Sequence, residues 1–185
     1  MGKTRVFVGI PAEEHLIEEV LEFRKRHAGL RVRWIEPENL HITVIPPWES
    51  ENPSAVYGVL CTTASGNAAS EAVFTSVKPG PVQSKPRLVW ATGDAPPFFG
   101  RLRDELHTGL QVAAEDYRPY LLHLTIARVR QNERYDLIRM KFDEPVAWAA
   151  VFRKLCLFES LLKPSGAEYR VLFEVPFGMK NTGEP

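Results

Sequence analysis

Apolar and polar positions along the chain fall into short periodic segments, and the order of those segments occurs twice. Residues 4 to 10 (TRVFVGI) are rich in Val and Phe and stop at Pro11, which predicts a first strand. Pro11 then suits the opening turn of a helix, where its missing N–H donor costs nothing. Glu13 and Glu14 fall at the positive helix end, and Arg24, Lys25, Arg26 and His27 at the negative end. Between them Leu16, Ile17, Val20 and Leu21 make one apolar face, with Gly29 as the natural stop. A strand over about 31–35 is then expected to form a hairpin with one over about 39–45, which carries LHITVI.

The second round begins at residues 87 to 92 (RLVWAT), another strand pattern. Pro96-Pro97 opens a helix on which Phe99, Leu102, Leu106 and Leu110 recur at helical spacing. A strand over about 121–128 follows, carrying LLHLTIAR. His41 lies 36 residues after Arg5, and His123 the same 36 after Arg87. Each half also ends in a predicted hairpin, over 74–90 and over 155–175, with Lys-Pro and Gly at the turn. No Gly/Ser-rich or charged linker separates the halves. The expected fold is therefore a duplicated α+β unit: two antiparallel sheets with helices on their outer faces, bilobal, with a pseudo-twofold around a central cleft. Residues 1–185 are expected to form one domain of two interleaved lobes.

The element common to both halves is His-x-Thr, as His41-Ile42-Thr43 and His123-Leu124-Thr125. Side chains alternate along a strand, so His and Thr share one face while Leu40, Ile42 and Val44, or Leu122, Leu124 and Ile126, share the other. A hydrophobic core explains the aliphatic set. It does not explain four polar groups on the opposite face. A single His-x-Thr on a strand is most often incidental; two at the same offset in a repeat are not. A pseudo-twofold would bring both polar faces to one cleft, where one imidazole takes a proton from water and the other protonates a departing oxygen of a phosphodiester. Histidine suits both tasks because its ordinary pKa lies near neutrality. The hydroxyls of Thr43 and Thr125 can donate to nonbridging phosphate oxygens. Neither histidine has a carboxylate or thiol at ligand spacing, so no metal and no cofactor is expected.

Charge narrows the substrate. Lys+Arg and Asp+Glu both total 23, giving zero formal net charge over 185 residues. A protein that tracks a long duplex needs a basic stripe, so neutrality favours a small ligand or a single RNA terminus. The two cysteines, Cys61 and Cys156, form no CxxC or Cys/His cluster, and no signal core or membrane-spanning run occurs. A cytoplasmic monomer with two free thiols is expected, with no membrane partner.

The chain resembles the 2H phosphoesterase superfamily, and within it the RNA 2',3'-cyclic phosphodiesterases, also called 2'-5' RNA ligases. The resemblance spans nearly the whole length: RVFVGIP at the start, RWIEPENLHIT (33–43), RLVWATG, HLTIARVR (123–130) and LFESLLKPSGAEYRVL near the end. It implies a bilobal fold with a central cleft and metal-independent hydrolysis of a 2',3'-cyclic phosphate, on an RNA end or nucleotide, to a 2'-phosphomonoester. His41 and His123 would be the catalytic pair, with His41 leaning to the acid and His123 to the base, and reversible 2'-5' ligation would go with the same site. Two departures stand out: Pro46-Pro47-Trp48-Glu49 replaces a longer apolar stretch ending in Gly-Glu, and Leu122 stands where Pro is common before the second motif. The first lies at an expected cleft rim and bears on substrate preference.

Arg128 matches the arginine that follows the second motif in that family and would pair with phosphate. Strict alternation nevertheless puts it on the face opposite His123. Trp34, Trp48 and Tyr120 are candidates for base stacking, against the plainer reading that they are core aromatics. Arg130 reads as a solvated charge, and His15, His27 and His107 as helix-surface or helix-end residues. A protein of a different class, an RNA-end binding module without turnover, is the alternative; two intact proton shuttles argue against it.

Overall fold

The computed structural model describes residues 2–82, 84–112, 119–163 and 166–178. In chain order the elements are β1 (Thr4–Pro11), α1 (Glu14–Arg26), β2 (Arg33–Trp34), β3 (His41–Ser50), α2 (Pro53–Gly66), β4 (Ser70–Gly80), β5 (Leu88–Gly93), α3 (Pro97–Leu110), β6 (Leu122–Arg128), α4 (Arg134–Met140), β7 (Glu144–Phe152), β8 (Lys154–Lys163) and β9 (Gly166–Pro176). Two antiparallel sheets form, in the orders β3-β1-β8-β9 and β2-β6-β5-β4-β7. Leaving β2 aside, they match strand for strand. A histidine strand flanks the opening strand of its repeat, and a hairpin strand and an outer strand follow on the other side.

The strands and helices interleave. The first sheet is completed by β8 and β9 from the end of the chain, while β4 from the first half joins the second sheet. Among the helices, α1 lies against β7 of the second sheet and α3 against β3 of the first. Their apolar faces (Leu16, Val20 and Phe23; Phe98, Phe99, Leu102 and Leu106) are buried. One hydrophobic cluster runs through both sheets. A smaller one, Phe7, Cys156 and Phe158 with Tyr169, sits apart on β1, β8 and β9. Burial pushes the Cys156 thiol up to about 12, so it packs as a small apolar group. Cys61 and Cys156 are both free.

Several elements differ from the pattern-based expectation. Pro11 closes β1 instead of opening α1: it stands opposite His41 at the ladder's end, where no N–H is needed, and Ala12 donates to the Leu40 carbonyl at 2.9 Å. The expected hairpin between residues 31–35 and the first histidine strand does not form. Instead β2 pairs with β6, Arg33 opposite Arg128 and Trp34 opposite Ala127, because a 3-10 turn at Pro37–Asn39 carries the chain from one sheet to the other. The first histidine strand is longer than expected, running through Pro46 and Pro47 to Ser50. That is tolerated because β3 is an edge strand. Both predicted late hairpins pair, β4 with β5 and β8 with β9; the residues 164–165 of the second turn lie outside those described. No helix among the described residues is long and apolar enough to cross a membrane.

Candidate active site

Alternation does on both histidine strands what the sequence requires of it. In β3, Leu40, Ile42 and Val44 are buried while His41 and Thr43 are half-exposed; in β6, Leu122, Leu124 and Ile126 are buried while His123 and Thr125 are half-exposed. Strands β3 and β6 touch across the space between the sheets. There a cavity of about 210 Å3 is lined by His41, Thr43, Thr125 and Arg128, with Phe7 and Tyr169 among its walls. His123 lies outside that lining, yet near enough that its charge acts on His41.

Both imidazoles are held in the same way. His41 Nδ1 lies 2.7 Å from the Asn39 carbonyl, and His123 Nδ1 lies 3.0 Å from the Leu121 carbonyl, each two residues upstream. A carbonyl only accepts, so each Nδ1 carries the hydrogen and each neutral ring keeps its lone pair on Nε2. The backbone thus sets the tautomer of both rings and leaves Nε2 for chemistry.

The surroundings keep both rings uncharged. Phe7, Phe158 and Tyr169 surround His41 at ring distances of 4.8, 5.6 and 5.0 Å. Burial lowers its pKa from 6.5 to about 4; repulsion from His123 and Arg128 adds to this, and the Asn39 hydrogen bond opposes it. His123 rests on Trp90 at 4.9 Å and is lowered by burial as well, against the Leu121 hydrogen bond. Trp90 in turn occupies the space beside Gly80, where a Cβ would meet its ring at 2.1 Å. Gly9 is required for a similar reason: a Cβ there would stand 2.8 Å from the Ile42 carbonyl oxygen, within the His-x-Thr backbone.

Arg128 lines the cavity although simple alternation puts it on the opposite face. The register supplies the cause. Val89 faces Ala127 but Trp90 faces Thr125, so Ile126 is an extra residue, a β-bulge that inverts the alternation beyond it. Arg128 Nη2 then donates to the Tyr169 hydroxyl at 3.4 Å. Of the stacking candidates, Trp34 lines a groove that adjoins the cavity. Trp48 packs against the core, opposite Val6. Tyr120 stacks on Phe99 at 5.2 Å and its hydroxyl donates to the Thr43 carbonyl at 2.6 Å, which ties β3 to the segment preceding β6. Burial raises the Tyr120 pKa, opposed by Arg103, so the phenol remains a donor. Arg130 is exposed.

Pattern reading did not single out Tyr169, Asn39, Phe7, Phe158 or Trp90. Asn39 holds two pieces together: its carbonyl takes the His41 hydrogen bond, and its side-chain oxygen accepts from the Tyr169 backbone N–H at 3.2 Å. Asn39 gave no local signal for the first of these, since its backbone carbonyl does only what that of Leu121 does for His123. Tyr169 gave none, because it reaches His41 only through the pairing of β9 with β8 and of β8 with β1. Among the described residues no three His, Cys, Asp or Glu side chains gather as a metal-binding group.

Comparison with known proteins fits this geometry. Residues 12–163 match the family described as the 2'-5' RNA ligase superfamily. A Thermotoga maritima protein named RNA 2',3'-cyclic phosphodiesterase is 26% identical, over 94% of this chain and 95% of its own. One of the same name from Archaeoglobus fulgidus is 28% identical, over 91% of this chain and 97% of its own. Among solved structures, TT0787 of Thermus thermophilus superposes with a TM-score of 0.75 at 20% identity, over 94% of this chain and 98% of that one. Apo LigT of E. coli gives 0.72 at 17% identity, over 96% and 99%. These two share the fold. With the family match covering most of its length, the chain belongs to the 2'-5' RNA ligase superfamily.

Proposed function

We propose that this protein hydrolyses 2',3'-cyclic phosphates at RNA ends or on nucleotides, with His41 and His123 as the acid/base pair. The observation that carries this reading is the matched anchoring of the two imidazoles: each has Nδ1 fixed to a carbonyl two residues upstream, on strands that meet at a cavity lined by Thr43, Thr125 and Arg128. The relatives named as RNA 2',3'-cyclic phosphodiesterases support the choice of substrate.

In the proposed reaction His123 Nε2 takes a proton from water as the water oxygen bonds to phosphorus. The P–O3' bond breaks, and His41 Nε2 delivers its proton to O3', leaving a 2'-phosphomonoester and a free 3'-hydroxyl. Arg128 and the two threonine hydroxyls hold the charge that gathers on the nonbridging oxygens. With a pKa near 4, His41 is a strong acid once protonated, but at pH 7 only about one free molecule in a thousand carries that proton. The bound phosphate anion, set against Arg128, offsets the repulsion and raises His41 toward neutrality. With a 5'-hydroxyl in place of water, His123 takes its proton as O5' bonds to phosphorus, O3' leaves with the proton from His41, and a 2'-5' linkage results; the same steps reversed cleave that linkage back to a cyclic end. The protein is proposed to work without metal, as a cytoplasmic monomer and one domain. An RNA oligonucleotide with a 2',3'-cyclic end, incubated with the protein and chelator, is expected to yield a 2'-phosphate. An end that stays cyclic, with folded protein and tight binding, would leave an RNA-end binder instead.

A further inference from the structure

Beside the reaction cavity lies a groove of about 480 Å3 whose far wall the proposed chemistry does not use. The two spaces share Ile35, Asn39, Arg128 and Tyr169, so one opens into the other. At about 210 Å3 the cavity is smaller than ordinary ligand pockets, whereas the groove lies within their range of about 300–1,000 Å3. A 2',3'-cyclic phosphate closes the 3' end of a strand, so the rest of an RNA chain can leave the cavity only in the 5' direction. The groove is the larger space that opens from the cavity.

The lining has the chemistry of a nucleotide site. Trp34 offers a planar indole, and Arg33 and Arg128 stand among three carboxylates, Glu36, Glu38 and Glu168; Glu36 and Glu38 are exposed acceptors with no ion pair among the described residues. The segment leading into Trp34 is cationic beyond what the neutral whole suggests. Residues 23–35 contain Arg24, Lys25, Arg26, Arg31 and Arg33 and no carboxylate. Lys25 and Arg26 meet Glu22 and Glu144, but Arg31 is exposed and makes no ion pair among the described residues. A basic run leading up to an aromatic platform is how single strands are held without a duplex-length stripe.

Resting on the hydrolase reading above, we propose that this groove is a subsite for the nucleotide 5' to the cyclic end of single-stranded RNA. Its base stacks on Trp34, its phosphate lies toward Arg33 and Arg128, and the next phosphate lies toward Arg31. The true substrate is then an oligonucleotide end and not a free cyclic nucleotide.

Calorimetric binding of 2'-phosphate-terminated mononucleotides and trinucleotides, the hydrolysis products, tests this without requiring turnover. The trinucleotide is expected to bind wild type on the order of tenfold more tightly. W34A should bring that ratio close to one, W34F should keep most of it, and R31E should reduce it and flatten its salt dependence. A ratio near one in wild type overturns the subsite, and so does a ratio that survives W34A. Should W34A not fold, the wild-type ratio and R31E decide. A protein that prefers the trinucleotide but hydrolyses no cyclic end would retain the subsite and lose the hydrolase reading.

Discussion

Substituting His41 by Gln should change how stability depends on pH, by an amount the site itself sets. Folding moves the His41 pKa from its ordinary 6.5 to about 4, chiefly through burial against Phe7, Phe158 and Tyr169. Between those pH values the unfolded chain binds a proton at this ring and the folded protein does not, so stability falls as pH falls. The stability associated with the neutral ring is complete above pH 6.5 and is gone below about 4. At about 1.4 kcal/mol per pKa unit the difference is about 3 kcal/mol, an upper value because the ring is half-buried. Gln cannot titrate, so H41Q should lack this component. Urea unfolding of both proteins at pH 7.5, 6.5, 5.5 and 4.5 isolates it, since the carboxylates titrate alike in each. The wild-type curve should drop below the variant's progressively, by roughly 2–3 kcal/mol at the acid end. Parallel curves would refute the claim that folding discharges His41.

Further outcomes follow from the same geometry. The pH dependence of kcat/KM, which reports the free enzyme, should peak on the acid side of pH 6.5, because both histidine pKa values are lowered; a plateau extending above pH 8 would contradict this. R128A should lower kcat/KM for a cyclic-phosphate end by roughly ten- to a hundredfold, with partial recovery in R128K, as steady-state rates would show. Gly80→Ala should cost about 1–3 kcal/mol in denaturant unfolding, because its Cβ meets the Trp90 ring at 2.1 Å, and it should lower turnover by displacing the support of His123.

Local periodicity made the histidine strands readable: buried Leu40, Ile42 and Val44, and buried Leu122, Leu124 and Ile126, left His-x-Thr nowhere but the other face. The common 36-residue interval conveyed the order of elements but not their register. His41 pairs with Pro11, whereas His123 pairs with Thr92, one residue short of the repeat position, Gly93. Arg128 could not be oriented by alternation, since the bulge at Ile126 depends on how β5 and β6 pair. Non-local pairing also hid Tyr169 and carried Trp34 to the second sheet. No expectation covered α2, although Asn52 caps it by accepting from the Ala55 N–H at 3.3 Å. Its small and polar residues, PSAVYGVLCTTASG, give little apolar periodicity.

The central claim is that two imidazoles act as one unit on a cyclic phosphate, and single-turnover rates of wild type, H41A, H123A and the double variant test it most directly. Each single variant should slow conversion of a 2',3'-cyclic RNA end by about a hundredfold or more, and the double variant should be little slower than either. A near-normal rate in either single variant, or losses that simply multiply in the double variant, would contradict a shared acid/base pair.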